Sequence, residues 1–452
     1  MFNLNALLAK REEEGRPIRV ALVGAGRFGG LVLAQTARMK GMRIAMVCDL
    51  APHRALAALQ RAGFPPEAVC LTSSEGTGAD AISRGQTVLT DAFSLCLLPQ
   101  VEVVVEATGS PEAGALHAFQ AIQHGKHVVM VNVEADVLVG PLLKRLADRA
   151  GVVYSLAYSD QPALIKELYD WATTLGFEVV AAGEWRRYTP EMRYGTPEDA
   201  LQRFGFSSEQ IARGDLNPQM FNSFLDGSKG AVEACAVANM TGLVPDVRGT
   251  HLAPAGVPDL PRLLCPREEG GILSRKGVVE LVTSLYPDGR PVPQSLPQGV
   301  FIVFTHPNPY TLQALQEYGL PVSPNGRYIA FYRPYHLVGA ECPVSIAWAA
   351  LRREATGEPI GHYAEVIACA KRPLEPGQVL DGEGGYTVYG AVERASVALR
   401  EGLLPLGLAR GARLKRPLPA DAPIPWDAVE VPEGFALHLR RLQDRLLAPA
   451  PG

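Results

Sequence analysis

Three glycines followed by an acid carry the clearest chemical meaning in this sequence. The stretch reads Gly24-Ala25-Gly26-Arg27-Phe28-Gly29, and Asp49 stands twenty residues after the third glycine. This spacing permits a tight turn, lets backbone N–H groups approach a pyrophosphate, and lets a helix pack closely on a strand. Asp49 would bind the ribose hydroxyls of NAD. The pattern predicts a dinucleotide site, and the alternative is a glycine turn in an α/β domain without a cofactor.

Further cofactor contacts are predicted at the ends of neighbouring strands. The apolar run 101–105 leads into Glu106-Ala107-Thr108-Gly109, and the run 127–131 ends at Asn132. Ligands gather at the carboxyl ends of parallel strands, so Thr108 and Gly109 are expected on the nicotinamide side, unless they form a plain strand-to-helix turn. Arg54 would pair with a 2′-phosphate if its loop folds back, so NAD and NADP both stay open. The predicted cofactor-binding residues are Gly24, Gly26, Arg27, Phe28, Gly29, Asp49, Arg54, Thr108, Gly109 and Asn132.

A second group of charged residues opens a predicted helix that ends at Gly242. Asp226, Lys229 and Glu233 are spaced three and four apart, so they are expected on one helix face, which continues into apolar residues. A lysine in a first helical turn also opposes the helix dipole. Lys229 could stabilise a developing alkoxide and donate a proton, with Asp226 or Glu233 orienting it. The alternative is an ordinary i,i+4 ion pair.

Asp160 is the fourth candidate catalytic residue. It lies in a polar loop between the predicted strand 152–156 and the predicted helix 163–175, where binding groups are commonly mounted. Its carboxylate could cap that helix, bind substrate, or do both. The polar stretch 184–222 is weakly patterned and rich in arginine. It is expected either to close over an anionic substrate or to be a solvated connection.

The elements that must position these residues can be read from hydrophobic periodicity. Ile18–Val23 and Met42–Cys48 have the length and β-branched character of strands, and a helical pattern runs from Leu31 to Met39 between them. The sequence predicts an α/β fold with a Rossmann-type doubly wound parallel sheet, a central α+β catalytic domain and a small β-rich C-terminal module. The predicted boundaries are 17–157, 158–356 and 362–452.

Bulk composition excludes several classes of protein. The 452-residue chain has a net charge of −4 and no basic runs, which argues against nucleic acid as a partner. No apolar stretch reaches the roughly 18 residues of a membrane helix, and no secretory signal is recognised. Seven cysteines without a framework spacing indicate reduced, mostly buried thiols and a cytoplasmic location. His117, His124 and His127 lack ligand spacing and are expected at the surface or at helix ends.

Several of these motifs resemble known families. GAGRFG, EATG, HVVMVN and DGSK, between residues 17 and 340, resemble homoserine dehydrogenase-like oxidoreductases. AKRPLEPGQVLDGEGGYTVYG and LLPLGLARGARLKRPL, between residues 362 and 430, resemble a SAF domain. The combination is similar to a group that includes 1-deoxy-D-xylulose 5-phosphate reductoisomerase-like enzymes. The resemblance implies NAD(P)-dependent hydride transfer to or from a small polar hydroxy or carbonyl compound, with Lys229 polarising the reacting oxygen beside Asp226 and Glu233.

One departure from the family pattern bears on the substrate. Homoserine dehydrogenases generally carry a lysine directly after the asparagine of the HVV-x-x-N strand, and Val133 stands there instead. A substrate other than homoserine is therefore favoured. No metal site is predicted, although a reductoisomerase-like enzyme would add a divalent metal held by Asp160, Asp226 or Glu233. A homodimer is expected, and the alternative function is a non-catalytic NAD(P)-binding sensor or ligand-binding protein.

Overall fold

The computed structural model describes residues 3–212 and 216–447. Its helices are α1 Leu4–Glu13, α2 Arg27–Thr36, α3 Pro52–Arg61, α4 Glu75–Ser83, α5 Pro111–Gln123, α6 Val133–Ala150, α7 Gln161–Thr174, α8 Pro197–Phe204, α9 Ser208–Ala212, α10 Pro218–Leu225, α11 Ser228–Thr241, α12 Leu260–Leu263, α13 Pro309–Glu317, α14 Pro343–Ala347, α15 Ala395–Arg400 and α16 Phe435–Leu446. Its strands are β1 Ile18–Val23, β2 Met42–Cys48, β3 Val69–Leu71, β4 Thr87–Thr90, β5 Val103–Glu106, β6 His127–Met130, β7 Tyr154–Leu156, β8 Glu178–Arg186, β9 Val244–Pro245, β10 Ala253–Pro254, β11 Val278–Thr283, β12 Val300–Thr305, β13 Ile329–Arg333, β14 Ala364–Ala370, β15 Val388–Arg394, β16 Arg413–Leu414 and β17 Val429–Glu430.

The first of two compact units comprises Met1–Ala163 and Leu337–Glu358. Its seven strands form a parallel sheet in the order β3-β4-β2-β1-β5-β6-β7. The central strands are buried along nearly their whole length, as parallel strands are when helices cover both faces of the sheet. The predicted Rossmann-type fold is confirmed.

The register of three neighbouring strands brings the predicted cofactor residues to one edge of this sheet. Val23, the last residue of β1, pairs with Cys48 of β2 and with Glu106 of β5. The glycine turn, Asp49 and the Ala107–Ser110 turn therefore all leave the sheet at the same level. Hydrogen bonds from Gly24 N to Cys48 O (2.8 Å) and from Ala107 N to Val23 O (2.8 Å) fix this arrangement.

The second unit comprises Leu164–His336 and Pro359–Gly452. Its main sheet is mixed, in the order β10-β11-β8-β12-β13, with β9 also paired to β11. β8 runs parallel to β11 and antiparallel to β12. The C-terminal part adds two antiparallel pairs, β14–β15 and β16–β17, as the predicted β-rich module requires. Helix α11 packs against β11 and also against β14 and β15, so it has both parts of this unit as neighbours.

The stretch 184–222 differs from its prediction as a weakly patterned connection. Strand β8 continues to Arg186, because residues up to Arg186 pair in register with β11. Helices α8, α9 and α10 then follow. Two of them begin with a capping-type residue before proline, Thr196-Pro197 and Asn217-Pro218, which is a recognised helix start that the arginine-rich composition obscured.

Two of the three histidines expected at the surface or at helix ends are placed differently. His124 does end α5, as predicted. His127 is buried in β6, where its Nδ1 accepts a hydrogen bond from Val153 N at 2.9 Å, and burial lowers its pKa to about 4. His117 is half-buried and stacks on Phe93 with ring centroids 4.1 Å apart. The prediction was wrong for these two because the pattern within one segment does not show which of its polar residues another element covers.

Two findings concern the whole of the described chain. Six of the seven cysteines are buried, as expected, and Cys70 is half-buried. Among the residues described, no helix combines the length and the apolar character that a bilayer crossing requires.

Candidate active site

The glycine turn after β1 is shaped by close backbone packing on one side and by open space on the other. A Cβ at Gly24 would lie 2.7 Å from Ala107 O, and a Cβ at Gly29 would lie 2.2 Å from Gly24 O, so both positions require glycine. A Cβ at Gly26 would meet no atom within 4 Å. Packing within the fold therefore does not require glycine at position 26. The open space beside Gly26 is where a pyrophosphate would contact the backbone.

The surroundings of the turn also fit a dinucleotide. Helix α2 begins at Arg27, and within the described residues no side chain caps its N-terminus, so the first-turn N–H groups suit an anion. Asp49 accepts hydrogen bonds from Ala25 N and from Ala51 N, both at 2.8 Å. Its carboxylate thereby links the turn to the end of β2. These residues would hold the pyrophosphate and the adenosine ribose of NAD or NADP.

The next strand end carries a hydrogen-bonded network around a buried glutamate. Glu106 accepts hydrogen bonds from Thr108 Oγ1 at 2.6 Å and from Asn132 Nδ2 at 3.0 Å, and His117 Nδ1 lies 3.2 Å from it. Asn132 also donates to Ser110 O at 2.8 Å and accepts from Ala135 N, which makes it the N-cap of α6. Thr108 and Gly109 remain exposed at the rim, whereas Asn132 is buried and shapes the turn from beneath.

The remaining predicted cofactor residues lie around the turn. Phe28 is half-buried and packs against the hydrophobic core of the first unit. Arg27 is exposed at the start of α2, and Arg54 is exposed in the first turn of α3, five residues after Asp49.

The second unit contains a group of four charged side chains, three of them buried and Lys229 partly exposed. It is here called the charge cluster and consists of Glu184 and Arg186 of β8, and Lys229 and Glu233 of α11. The Arg186 guanidinium forms ion pairs with both Glu184 and Glu233. Lys229 Nζ lies 3.9 Å from Glu233 Oε1, as the i,i+4 spacing predicts. Two acidic and two basic groups balance formally, which is how charges are tolerated in an interior.

The local geometry explains how helix and strand come close enough to form this cluster. Gly230 follows Lys229, and a Cβ there would lie 3.0 Å from both Arg186 Nε and Leu281 Cδ1. Glycine thus lets the first turn of α11 approach the sheet. Lys229 keeps 12 % of its side chain exposed, against 8 % or less for the other three members, so it is the outermost charge of the cluster.

Asp226 does not share a helix face with Lys229, so that expectation was wrong. Helix α11 begins at Ser228 with Gly227 as its N-cap, and Asp226 is instead the C-cap of α10. Its buried carboxylate accepts hydrogen bonds from Lys371 Nζ at 2.7 Å and from Ser228 N at 2.9 Å. Burial raises the pKa of Asp226, and the Lys371 ammonium opposes that shift.

Asp160 belongs to the first unit, directly before α7, and its Oδ1 accepts a hydrogen bond from Gln161 N at 3.3 Å. Two of the three carboxylates considered for a divalent metal are already paired with a cation. Asp226 is paired with Lys371, and Glu233 is paired with Arg186, so a buried cation already neutralises each. Across residues 3–212 and 216–447, no group of three histidines, cysteines or acids is arranged to hold a metal ion.

Three site residues escaped the sequence analysis. Glu184 and Arg186 both fall in the stretch 184–222, which the sequence shows only as weakly patterned and rich in arginine. The alternation Glu184-Trp185-Arg186 after an apolar run was a usable signal of a strand with one charged face. Lys371 gave no signal, since its partner is 145 residues away in the sequence.

Comparisons with known proteins match three domain families. Residues 24–155 match the homoserine dehydrogenase NAD-binding domain, residues 159–342 match the catalytic domain of oxidoreductase DRL, and residues 365–430 match the SAF domain. A 1-deoxy-D-xylulose 5-phosphate reductoisomerase of Anaeromyxobacter dehalogenans is 30 % identical over 197 residues, which are 42 % of this chain and 45 % of the relative. The chain thus spans about half the length of this curated relative.

Solved structures also show similarity. One is a homoserine dehydrogenase from Thiobacillus denitrificans, with 20 % identity, 50 % of this chain and 49 % of that chain covered, and a TM-score of 0.33. Another is a putative myo-inositol dehydrogenase from Sinorhizobium meliloti, with 14 % identity and a TM-score of 0.35. This match covers 75 % of this chain and 90 % of that chain. At these scores neither likeness bears on activity.

The fold, the glycine turn and the matched domains define the class: the chain carries the nucleotide-binding and catalytic domains of an NAD(P)-dependent oxidoreductase. Its nucleotide-binding domain is homoserine dehydrogenase-like, and a DRL catalytic domain and a SAF domain follow it. The family resemblance inferred from the sequence motifs is confirmed.

Proposed function

We propose that this protein is a reductase or dehydrogenase that interconverts a small polar carbonyl compound and the corresponding alcohol. NAD or NADP, when bound, supplies or accepts the hydride. Reduction places a developing negative charge on the substrate oxygen, and a proton must reach that oxygen to complete the alcohol. Lys229 would stabilise the charge and deliver the proton.

The charge cluster supports this role for Lys229. Three of its members are buried side chains that hold one another, and their pairing fixes Glu233 on the second turn of α11. Glu233 Oε1 lies 3.9 Å from the ammonium of Lys229, the member with the greatest exposure. The observation that carries the proposal is this ion-paired lysine at the outer edge of a buried ionic group, within a matched oxidoreductase catalytic domain. A cation held in place before the reaction stabilises an alkoxide without reorganising in the transition state.

The cofactor residues act by binding and orientation. Gly26 and the first turn of α2 would hold the pyrophosphate, and Asp49 the ribose hydroxyls. Thr108 and Gly109 would border the nicotinamide, whereas Asn132 would act by fixing their turn. Because the matched relative is a 1-deoxy-D-xylulose 5-phosphate reductoisomerase, 1-deoxy-D-xylulose 5-phosphate is the first substrate to test. The substrate itself, the choice between NAD and NADP, the homodimer and the cytoplasmic location stay predictions.

The test is the variant Lys229→Ala. We expect kcat to fall by about 10²- to 10⁴-fold while the dissociation constants of NADH and NADPH change little, because the lysine acts on the reacting oxygen. Turnover is followed by nicotinamide absorbance with 1-deoxy-D-xylulose 5-phosphate and a panel of small hydroxy acids.

Lys166→Ala is the matched control. Lys166 also pairs with an acid four residues later, Asp170, but it lies on α7 outside the charge cluster. Its replacement should leave kcat within about twofold of the wild type. Normal turnover in Lys229→Ala would remove the catalytic assignment of the lysine. Binding of NADH or NADPH by the wild type without turnover of any compound tested would instead favour the sensor function. That function needs the glycine turn but not Lys229.

A further inference from the structure

The turn that leads into Lys229 is hydrogen-bonded to the SAF domain at three residues. Asn222 Nδ2 donates to Gly384 O at 2.8 Å, and Gln219 Nε2 donates to Glu383 O at 2.8 Å. Ser228 Oγ, directly before Lys229, accepts from Gly390 N at 2.8 Å. The partners all lie in residues 381–390, a segment that runs into strand β15. All three contacts are made to its backbone, so they depend on the shape of the segment.

The centre of this contact is a buried ion pair. Lys371 Nζ donates to Asp226 Oδ2 at 2.7 Å, to Gly385 O at 2.8 Å and to Gly195 O at 3.0 Å. All three ammonium protons are thus used, so the position of the charge is fixed. The side chains of Asp226 and Lys371 are 0 % and 2 % exposed, so removing one partner would leave a buried charge without compensation.

Asp226 passes this constraint to the start of α11. Its other oxygen accepts a hydrogen bond from Ser228 N at 2.9 Å, and Ser228 is the first residue of the helix. Lys229 comes next. The ion pair with the SAF domain therefore defines where α11 begins and which way its first turn points.

We infer that Lys371 is a positioning residue for Lys229, and that the SAF domain completes the catalytic domain instead of being an independent attachment. The catalytic part of this inference rests on the proposed function. Lys371 acts through Asp226 and the first turn of α11, and it has no contact with the reacting atoms in this role.

The main variant is Lys371→Met, and its matched control is Arg248→Met. Arg248 also joins the matched catalytic domain to the SAF domain through ion pairs, to Glu393 at 2.7 Å and Glu401 at 2.6 Å, but neither partner belongs to the turn. If Lys371 positions Lys229, only Lys371→Met should lower kcat, by about 10- to 100-fold, with the KM for the nicotinamide cofactor within about twofold. Equal losses in both variants would show general attachment and overturn the inference.

A second readout does not depend on turnover. Hydrogen exchange of the peptide covering residues 222–233 should become faster in Lys371→Met and stay at the wild-type rate in Arg248→Met. Unchanged exchange in Lys371→Met would overturn the inference even if stability fell. If Lys229→Ala keeps its activity, the role proposed for Lys229 fails, while this exchange measurement still decides whether Lys371 fixes the turn.

The double variant Lys371→Met/Asp226→Asn guards against simple misfolding. It removes both charges, so the uncompensated carboxylate of the single variant is absent and the fold should be retained. Stability near the wild type combined with low kcat supports positioning by the ion pair. Restoration of both stability and kcat would show that the pair positions nothing.

Discussion

At the scale of single residues, the same side chain often serves both the fold and the proposed chemistry. Asp49 is the clearest case, because its two oxygens accept hydrogen bonds from Ala25 N and Ala51 N, yet its position at the end of β2 is also where a ribose would lie. The two functions are compatible because a carboxylate offers about four acceptor positions. Asp49 can thus hold the turn and still bind hydroxyl groups.

This double role predicts the outcome of Asp49→Asn. Removal of the negative charge should raise the ratio of NADPH to NADH affinity by about tenfold, because a 2′-phosphate is no longer repelled. The dissociation constants are measured by nicotinamide fluorescence titration. Asp91→Asn, an exposed acid near Ser73, should leave the ratio unchanged. An unchanged ratio in Asp49→Asn would show that the ribose binds elsewhere.

Residue types and spacing were sufficient for part of the site. The G-x-G-x-x-G pattern located the turn, and the i,i+4 spacing of Lys229 and Glu233 gave their pairing. Spacing failed for Asp226, because it assumed that the helix extended back through Gly227, where φ is +91° and the helix instead begins. The partners Arg186 and Lys371 come from other elements, so no local pattern could reveal them.

At the scale of elements, long apolar runs were predicted well and short or polar ones were not. Ile18–Val23 and Met42–Cys48 have the predicted strand bounds. The sequence predicts no strand at β3 or β4, because strands of three or four residues give too short a pattern to recognise.

The turn between β1 and α2 allows packing and ligand binding to be separated by two glycine substitutions. Gly26→Ala should leave the thermal midpoint nearly unchanged, because the added Cβ enters open space, but it should weaken NAD(P) binding at least about tenfold by filling the pyrophosphate position. Gly29→Ala should instead destabilise the protein by about 1–3 kcal/mol, since its Cβ would lie 2.2 Å from Gly24 O. Calorimetry and fluorescence titration measure the two effects. Normal cofactor binding by a folded Gly26→Ala protein would contradict the assigned cradle.

At the scale of the whole molecule, residues that are adjacent in the sequence do not always belong to the same unit. Leu337–Glu358 follow all strands of the second sheet in the sequence but belong to the first unit, and the second unit resumes at Pro359. Within the second unit, the SAF domain supplies Lys371 to a carboxylate 145 residues earlier. Such pairings follow from tertiary structure, which a sequence read in order cannot supply. The predicted domain boundaries, drawn at changes of composition, stay predictions.

The free energy of unfolding should depend on pH because of one buried acid in the first unit, Asp136. Burial raises the pKa of Asp136 to about 7, although Tyr154 donates a 2.9 Å hydrogen bond to it. Between about pH 4 and 7 the native state holds a proton on Asp136 that the unfolded chain has released. The contribution of this group to the free energy of unfolding is therefore fully present below about pH 4, and it is lost as the pH rises through about 7.

Asp136→Asn has no such proton, so its stability relative to the wild type should increase by about 2–4 kcal/mol from pH 4.5 to pH 8. Scanning calorimetry at pH 4.5, 6 and 8 follows this as a widening difference in thermal midpoint. Asp148→Asn, on the exposed side of the same helix and paired with Lys144, should run parallel to the wild type. A constant difference for Asp136→Asn would mean that the buried carboxyl keeps its ordinary pKa. The interior of the first unit would then be better solvated around α6 than its packing indicates.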